Sequence, residues 1–176
     1  MRTDIVCTIG TDHHQFGRLL DWLDGWLAAN PQYQATTLVQ HGQSRPARLA
    51  RNRSFVPWPE LVDLMANCQV VIAHAGPASL FEARAAGHLP ICVPRDSRLA
   101  EIVDGHQLRF AHFLARDRLI ALCETRADFE ATLTRFVTDP ASQAIEHDRT
   151  RINKTIAGLD RIMAEFAARK TGQRRR

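Results

Sequence analysis

The chain has 176 residues, of which 45% are hydrophobic and 24% charged, with a formal net charge of +4. That is enough for one domain with a real core, and the balance is that of a globular protein rather than a fibrous or disordered one. No apolar run approaches the roughly 20 residues of a membrane-spanning helix, and no apolar segment follows a basic start, so neither a transmembrane helix nor a secretory signal is expected.

Apolar strand-like runs alternate with helix-like blocks along the chain. Strands are predicted near residues 4–9, 35–40, 53–57, 69–73, 89–93 and 118–122, and helices near 16–29, 59–67, 77–86, 105–115, 126–138 and 141–168. In the first helix Phe16, Leu19, Leu20, Leu23, Trp26 and Leu27 recur at helical spacing, with Trp22 at the edge of the stripe. The segment from His41 to Arg53 is polar and basic, contains Pro46, and reads as a loop. The alternation predicts an α/β fold: an open, mostly parallel sheet with helices on both faces. Residues 1–140 are expected to form the domain, 141–168 a C-terminal helical segment of it, and 169–176 a basic tail. Cys7, Cys68, Cys92 and Cys123 show no Cys-x-x-Cys spacing, and three lie in or beside strand-like runs. They are expected to be buried free thiols in a reducing cytoplasm, without a zinc site.

The most informative stretch runs from Gln69 to Gln107. The apolar run Val70-Val71-Ile72-Ala73 turns through His74-Ala75-Gly76-Pro77-Ala78-Ser79 into a helix, and a second apolar run ends at Pro94. Gly76 permits a tight turn and close approach to a ligand. Pro77 suits the first helical position, where its missing N–H costs nothing. Ala78 and Ser79 then offer free backbone N–H groups, which favour an anion such as a diphosphate. Glu82 falls three residues after Ser79 on the same helix face, well placed for a neighbouring diol such as ribose hydroxyls. On the turn alone, an ordinary helix start with a first-turn acid explains the same residues.

These residues together resemble a known family. His74-Ala-Gly-Pro-Ala-Ser79, Glu82, Gly87, Pro90, Val93-Pro94-Arg95 and Glu101-Ile-Val-Asp-Gly-His-Gln107 look like the C-terminal, nucleotide-sugar-binding half of family 28 glycosyltransferases of the GT-B type, which is Rossmann-like. The opening strand to Ile9, then Gly10-Thr11-Asp12-His13-His14-Gln15-Phe16, Arg18-Leu19 and Trp22, fits the same pattern, so the resemblance covers about residues 3–125. It is strongest to a short subfamily in bacterial exopolysaccharide and capsule synthesis, whose donor half is a separate chain. Pro77 favours that branch, while Ile102 replaces a histidine common in it.

The resemblance implies a donor-binding subunit of a two-component inverting glycosyltransferase. Its donor would be a UDP-sugar and its acceptor a polyprenyl-diphosphate-linked saccharide, with no cofactor and no bound metal; the sequence has no Asp-x-Asp motif. Gly10, Thr11, Gly76, Pro77, Ala78 and Ser79 would surround the phosphates, Glu82 the ribose, and His106 and Gln107 the donor sugar. Trp58 would pack on the base or in the core, beside the Phe55-to-Trp58 loop whose backbone reads uracil in the family. Asp104 caps its helix or meets the sugar; both readings are open. His13 and His14 are exposed loop residues or approach the substrates, and His74 reads as structural. The chain lacks the acceptor half's Gly-rich, His-containing loop, so the general base is expected on a membrane-associated partner subunit. The localisation implied is cytoplasmic, at the inner face of the membrane through that partner.

From Arg149 to Arg176 there are nine Lys or Arg against Asp160 and Glu165. This tail meets anionic lipid or is simply solvated. Without aromatic stacking motifs, no nucleic-acid partner is expected. Ile152, Ile156, Leu159, Ile162, Met163 and Phe166 form an apolar stripe that docks on the partner or on this domain. A non-catalytic nucleotide-binding scaffold, or a sugar-nucleotide epimerase or hydrolase, are the alternatives.

Overall fold

The structure, a computed structural model, describes residues 2–143 and 145. Six strands form one parallel sheet: β1 (Ile5–Thr8), β2 (Thr37–Gln40), β3 (Arg51–Arg53), β4 (Val70–Ala73), β5 (Ile91–Cys92) and β6 (Ala121–Leu122). Their spatial order is β3-β2-β1-β4-β5-β6. Among the described residues four α-helices lie between strands, α1 (Gly17–Ala29), α2 (Trp58–Asn67), α3 (Pro77–Ala85) and α4 (His106–Arg116), and a fifth, α5 (Arg126–Thr138), follows β6.

The central strands β1, β4 and β5 are almost wholly apolar and buried on both faces because both faces are covered, whereas the edge strand β3 is polar. Ile5, Cys7, Val70, Ile72 and Ile91 pack with Leu19, Leu23 and Leu27 of α1 and Phe129, Leu133 and Phe136 of α5. On the other face Val6 and Val71 meet Leu61 and Met65 of α2 and Ala83 of α3, while Ala73 and Cys92 meet Leu80, Ala111 and Leu114. The pattern read from α1 is therefore its buried face. Cys7, Cys92 and Cys123 are buried free thiols, and Cys68 is half-buried.

The strands expected over 89–93 and 118–122 are shorter, Ile91–Cys92 and Ala121–Leu122, and two further strand boundaries differ for local reasons. The strand expected over 53–57 is Arg51–Arg53 instead. Asn52 clasps the preceding turn through Ala47 N–H, 2.8 Å, and donates to the Ala47 carbonyl, 2.8 Å. Beyond Ser54 the chain leaves the ladder: Val56 N–H donates to the Gln40 side chain at 3.2 Å, and Pro57 has no donor to offer. The second strand starts at Thr37 rather than 35, because Pro31–Thr36 closes as a 3-10 turn after α1. Pro140–Gln143 forms a 3-10 turn, and the rest of the C-terminal helix expected over 141–168, with the basic tail, lies outside the described residues apart from residue 145. No helix among the described residues is long and apolar enough to cross a membrane.

The strand order locates the site. From β1 the chain builds outward through β2 and β3, and from β4 outward through β5 and β6 on the opposite side. The connections leaving β1 and β4 therefore diverge and open a crevice at the carboxyl ends of the strands, the position where ligands bind in such sheets.

Candidate functional site

Both crevice loops meet at one histidine. Gly10, in the loop after β1, has φ +75°, and a Cβ there would lie 2.8 Å from the His74 ring. A Cβ on Gly76 would lie 2.3 Å from His74 Nε2. The ring at the end of β4 is thus wedged between two backbone segments that only glycine brings this close. Its Nδ1 is sealed from solvent without a hydrogen bond. Burial, helped by the nearby Arg95 charge, lowers the His74 pKa from 6.5 to about 4, so the ring is neutral near neutral pH. The linkage sign follows: on acidification from 6.5 the unfolded chain takes up a proton that the folded ring refuses. His74 should therefore cost the fold up to about 3 kcal/mol as pH falls from 6.5 to 4, and nothing above that window. Urea midpoints measured across it should fall less steeply in His74→Gln than in the wild type; parallel curves would refute the assignment.

The turn after β4 has the expected form. Pro77 occupies the first turn of α3, Gly76 is its N-cap, and no side chain caps the helix. The first backbone N–H to find a helical partner is that of Leu80, which donates to Gly76 O at 3.2 Å. The N–H groups of Ala78 and Ser79 are left to a ligand or water. One turn on, the half-buried Glu82 carboxylate makes no hydrogen bond or ion pair with any described residue.

A concavity of about 250 Å³ opens beside this turn. It is lined by Thr8, Gly10, Thr11, Gln40, Phe55, Val56, Trp58, Leu61 and Ser79. Four of the sequence-predicted residues, Gly10, Thr11, Trp58 and Ser79, are thus brought together. Phe55 and Trp58 stay 60% and 44% exposed, so Trp58 is a wall of this space rather than a core residue. Pro77 and Ala78 are exposed at the helix start. His106 and Gln107 do not line the concavity; they head α4, beyond β5. Asp104 does cap that helix, accepting from His106 N–H at 2.8 Å and pairing with His106 Nδ1. These bonds, the backbone one foremost, hold its carboxyl below the usual range. Gln107 Oε1 is buried without a partner.

The sequence reading missed Thr8, Gln40 and Leu61 as lining residues. Gln40 had a usable signal: it is a polar residue ending an apolar strand, the same position that drew attention to His74. The reading also missed how the loops are tied. Arg95, 1% exposed, donates to the carbonyls of Ile9 at 2.9 Å, His14 at 2.7 Å and Glu101 at 3.0 Å. It lies 4.7 Å over the Phe16 ring. Arg18 grips the Glu101 carboxylate with two bonds of 3.0 and 2.7 Å. In the exposed loop, Asp12 accepts from both the backbone N–H, 2.8 Å, and Nδ1, 2.6 Å, of His14.

The sequence profile of the glycosyltransferase family 28 C-terminal domain matches residues 29–161. The chain belongs to this family. The match begins at the last residue of α1, so the Gly10 loop, which the geometry places in the crevice, lies outside it. Enzymes of the family use nucleotide-sugar donors and typically need no cofactor. Among solved structures, spinosyn forosaminyltransferase SpnP is similar with a TM-score of 0.53 and 20% identity, over 80% of this chain and 37% of that one. Glycosyltransferase SnogD from Streptomyces nogalater gives a TM-score of 0.42 and 21% identity, over 76% of this chain and 43% of that one. The first likeness is one of fold, that of GT-B glycosyltransferases. This family 28 chain spans about two fifths of the length of either structure. No curated protein matches it.

Proposed function

We propose that this chain is the donor-binding part of a two-component inverting glycosyltransferase, taking a UDP-sugar and serving a polyprenyl-diphosphate-linked acceptor in exopolysaccharide or capsule synthesis. The observation that carries the donor site is the uncapped start of α3 at the switch point of the sheet, open beside a concavity of about 250 Å³. The Ala78 and Ser79 N–H groups would hold the diphosphate and stabilise it as charge builds on the leaving group. Glu82, unengaged one turn further on, would accept from the ribose hydroxyls. The acceptor and the base would come from a membrane-associated partner half. The length of the similar solved structure SpnP, of which this chain covers 37%, supports the need for a second half.

Glu82→Ala should weaken UDP binding about tenfold, the worth of a hydrogen bond to a charged acceptor, and leave inorganic diphosphate binding unchanged. Calorimetry giving equal losses for the two ligands would reject the ribose contact. No binding of either ligand by the wild type would reject the donor site.

A further inference from the structure

Asp12, His13 and His14 follow Gly10 and Thr11 in the loop after β1, outside the family match, and the donor reading gives their side chains no task. Successive side chains of an extended segment point to opposite sides. Here the chain bends, and the two imidazoles lie together: their ring centroids are 4.0 Å apart, tilted by 38°. Both rings turn Nδ1 to the same carboxylate oxygen, Asp12 Oδ1, at 3.9 Å from His13 and 2.6 Å from His14. One ligand atom from each of the three residues lies within 4.8 Å of the other two. Among the described residues no other three His, Cys, Asp or Glu side chains converge in this way.

A closed turn explains part of this arrangement. Asp12 also accepts from the His14 backbone N–H at 2.8 Å, so these two residues hold the bend together. His13 has no such part. Its side chain is 81% exposed and makes no hydrogen bond with any described residue, yet its ring lies beside that of His14 with Nδ1 toward Asp12. We infer that Asp12, His13 and His14 form a binding site for a divalent transition-metal ion of the zinc class, held by the carboxylate and the two Nδ1 atoms. The ion is given no step in sugar transfer, and the site does not rest on the nucleotide-donor reading.

Zinc binds imidazole nitrogen and carboxylate oxygen at about 2.0–2.2 Å, so its ligand atoms lie roughly 3–4 Å apart. The His13–Asp12 distance already falls in that range. The His14–Asp12 distance is that of a hydrogen bond. It opens by roughly 1 Å when the ion takes the place of the proton between the two atoms, the imidazole then carrying its proton on Nε2. The backbone around the site is held in advance. Arg95 donates to the carbonyls of Ile9 at 2.9 Å and His14 at 2.7 Å, Gln15 Nε2 to Gln43 O at 2.9 Å, and Phe16 N–H to Ser44 Oγ at 2.9 Å. Little ordering is left for the ion to impose, which favours binding. The Arg95 charge acts on Asp12 and opposes a cation, so the expected affinity is on the order of micromolar. Two imidazoles with one carboxylate suit Zn²⁺, Ni²⁺ or Cu²⁺, whereas Mg²⁺ and Ca²⁺ prefer oxygen ligands. Neither Cys-x-x-Cys nor Asp-x-Asp spacing describes three consecutive ligands; the bend in the loop makes them converge.

The test uses the full chain, stripped of metal with a chelator and titrated with Zn²⁺ in calorimetry at neutral pH. The wild type should bind Zn²⁺ with a Kd on the order of micromolar, and Mg²⁺ at least about a hundredfold more weakly. His13→Ala removes an exposed ring that makes no hydrogen bond, so the fold is not at stake. It should weaken Zn²⁺ binding at least about tenfold, because even a group that only supports a ligand is worth about 10–100-fold in metal affinity. In ¹⁵N spectra of the imidazoles, Nδ1 of His13 and His14 should shift on addition of Zn²⁺. Equal Zn²⁺ affinity in the wild type and His13→Ala would place the ion on other histidines or on cysteine and overturn the site. Mg²⁺ bound as tightly as Zn²⁺, unmoved Nδ1 signals, or no Zn²⁺ uptake by the wild type would overturn it as well.

Discussion

Arg95→Met should destabilise the domain by about 2–5 kcal/mol, because three carbonyls lose their donor at once. Methionine can keep the apolar stem over Phe16. It cannot donate to the carbonyls of Ile9, His14 and Glu101, which Arg95 holds at 2.7–3.0 Å. Ile9 and His14 belong to the loop after β1, and Glu101 to the connection after β5, so the guanidinium joins the two sides of the crevice. Each buried carbonyl left without a donor costs about 1–3 kcal/mol unless water replaces it. Arg95→Lys should recover only part of the loss, because one ammonium lacks the planar fork that reaches both sides. Because Gly10 and Thr11 line the concavity, folded Arg95→Lys should also bind UDP more weakly than the wild type. Urea denaturation at neutral pH measures the first effect; a loss below about 1 kcal/mol in Arg95→Met would show that the tie is not structural.

The same residue shows where sequence reading stopped. Val93-Pro94-Arg95 was visible as a motif, and its spacing fitted the family. That the guanidinium reaches Ile9 and His14 was not visible, because those partners are 86 and 81 positions away in the chain and are backbone carbonyls, which carry no side-chain signature. The sheet was legible because apolar runs such as Val70–Ala73 are buried on both faces and separated by helical segments, of which α2 and α3 carry proline at their starts. The turn from His74 to Ser79 was legible because glycine, proline and small residues in that order are required by its backbone. The strand expected over 53–57 failed because a side chain from another strand, Gln40, takes the Val56 N–H that a ladder would need. Sequence periodicity reports burial of side chains and is blind to which distant group captures a backbone donor.

Sugar transfer by the chain alone should be lower by about 10²–10⁴-fold than transfer by the chain combined with its acceptor-binding half, the usual contribution of a positioned general base. On the proposed reading the free N–H groups of Ala78 and Ser79 would serve a leaving diphosphate, but the nearby histidines are poorly suited to take a proton from an acceptor hydroxyl. His74 is neutral, yet its ring is wedged between Gly10 and Gly76, with Nδ1 sealed. His106 pairs with Asp104 through Nδ1 in the same way as His14 with Asp12, but it heads α4 and does not line the concavity, whereas His14 shares the loop of Gly10 and Thr11. His14 is the serious competitor, since Asp12 orients its ring through Nδ1 at 2.6 Å, an arrangement that leaves Nε2 as a base. Asp12 also accepts from the His14 backbone N–H, so the pair has a local structural explanation as a closed turn. His14→Gln in the reconstituted complex distinguishes the two: the turnover should change by less than about threefold if the base lies on the partner, and fall by about 10²-fold or more if it lies here. Efficient turnover by the purified single chain would sink the two-component reading, and a large loss in His14→Gln would move the base onto this half of the enzyme.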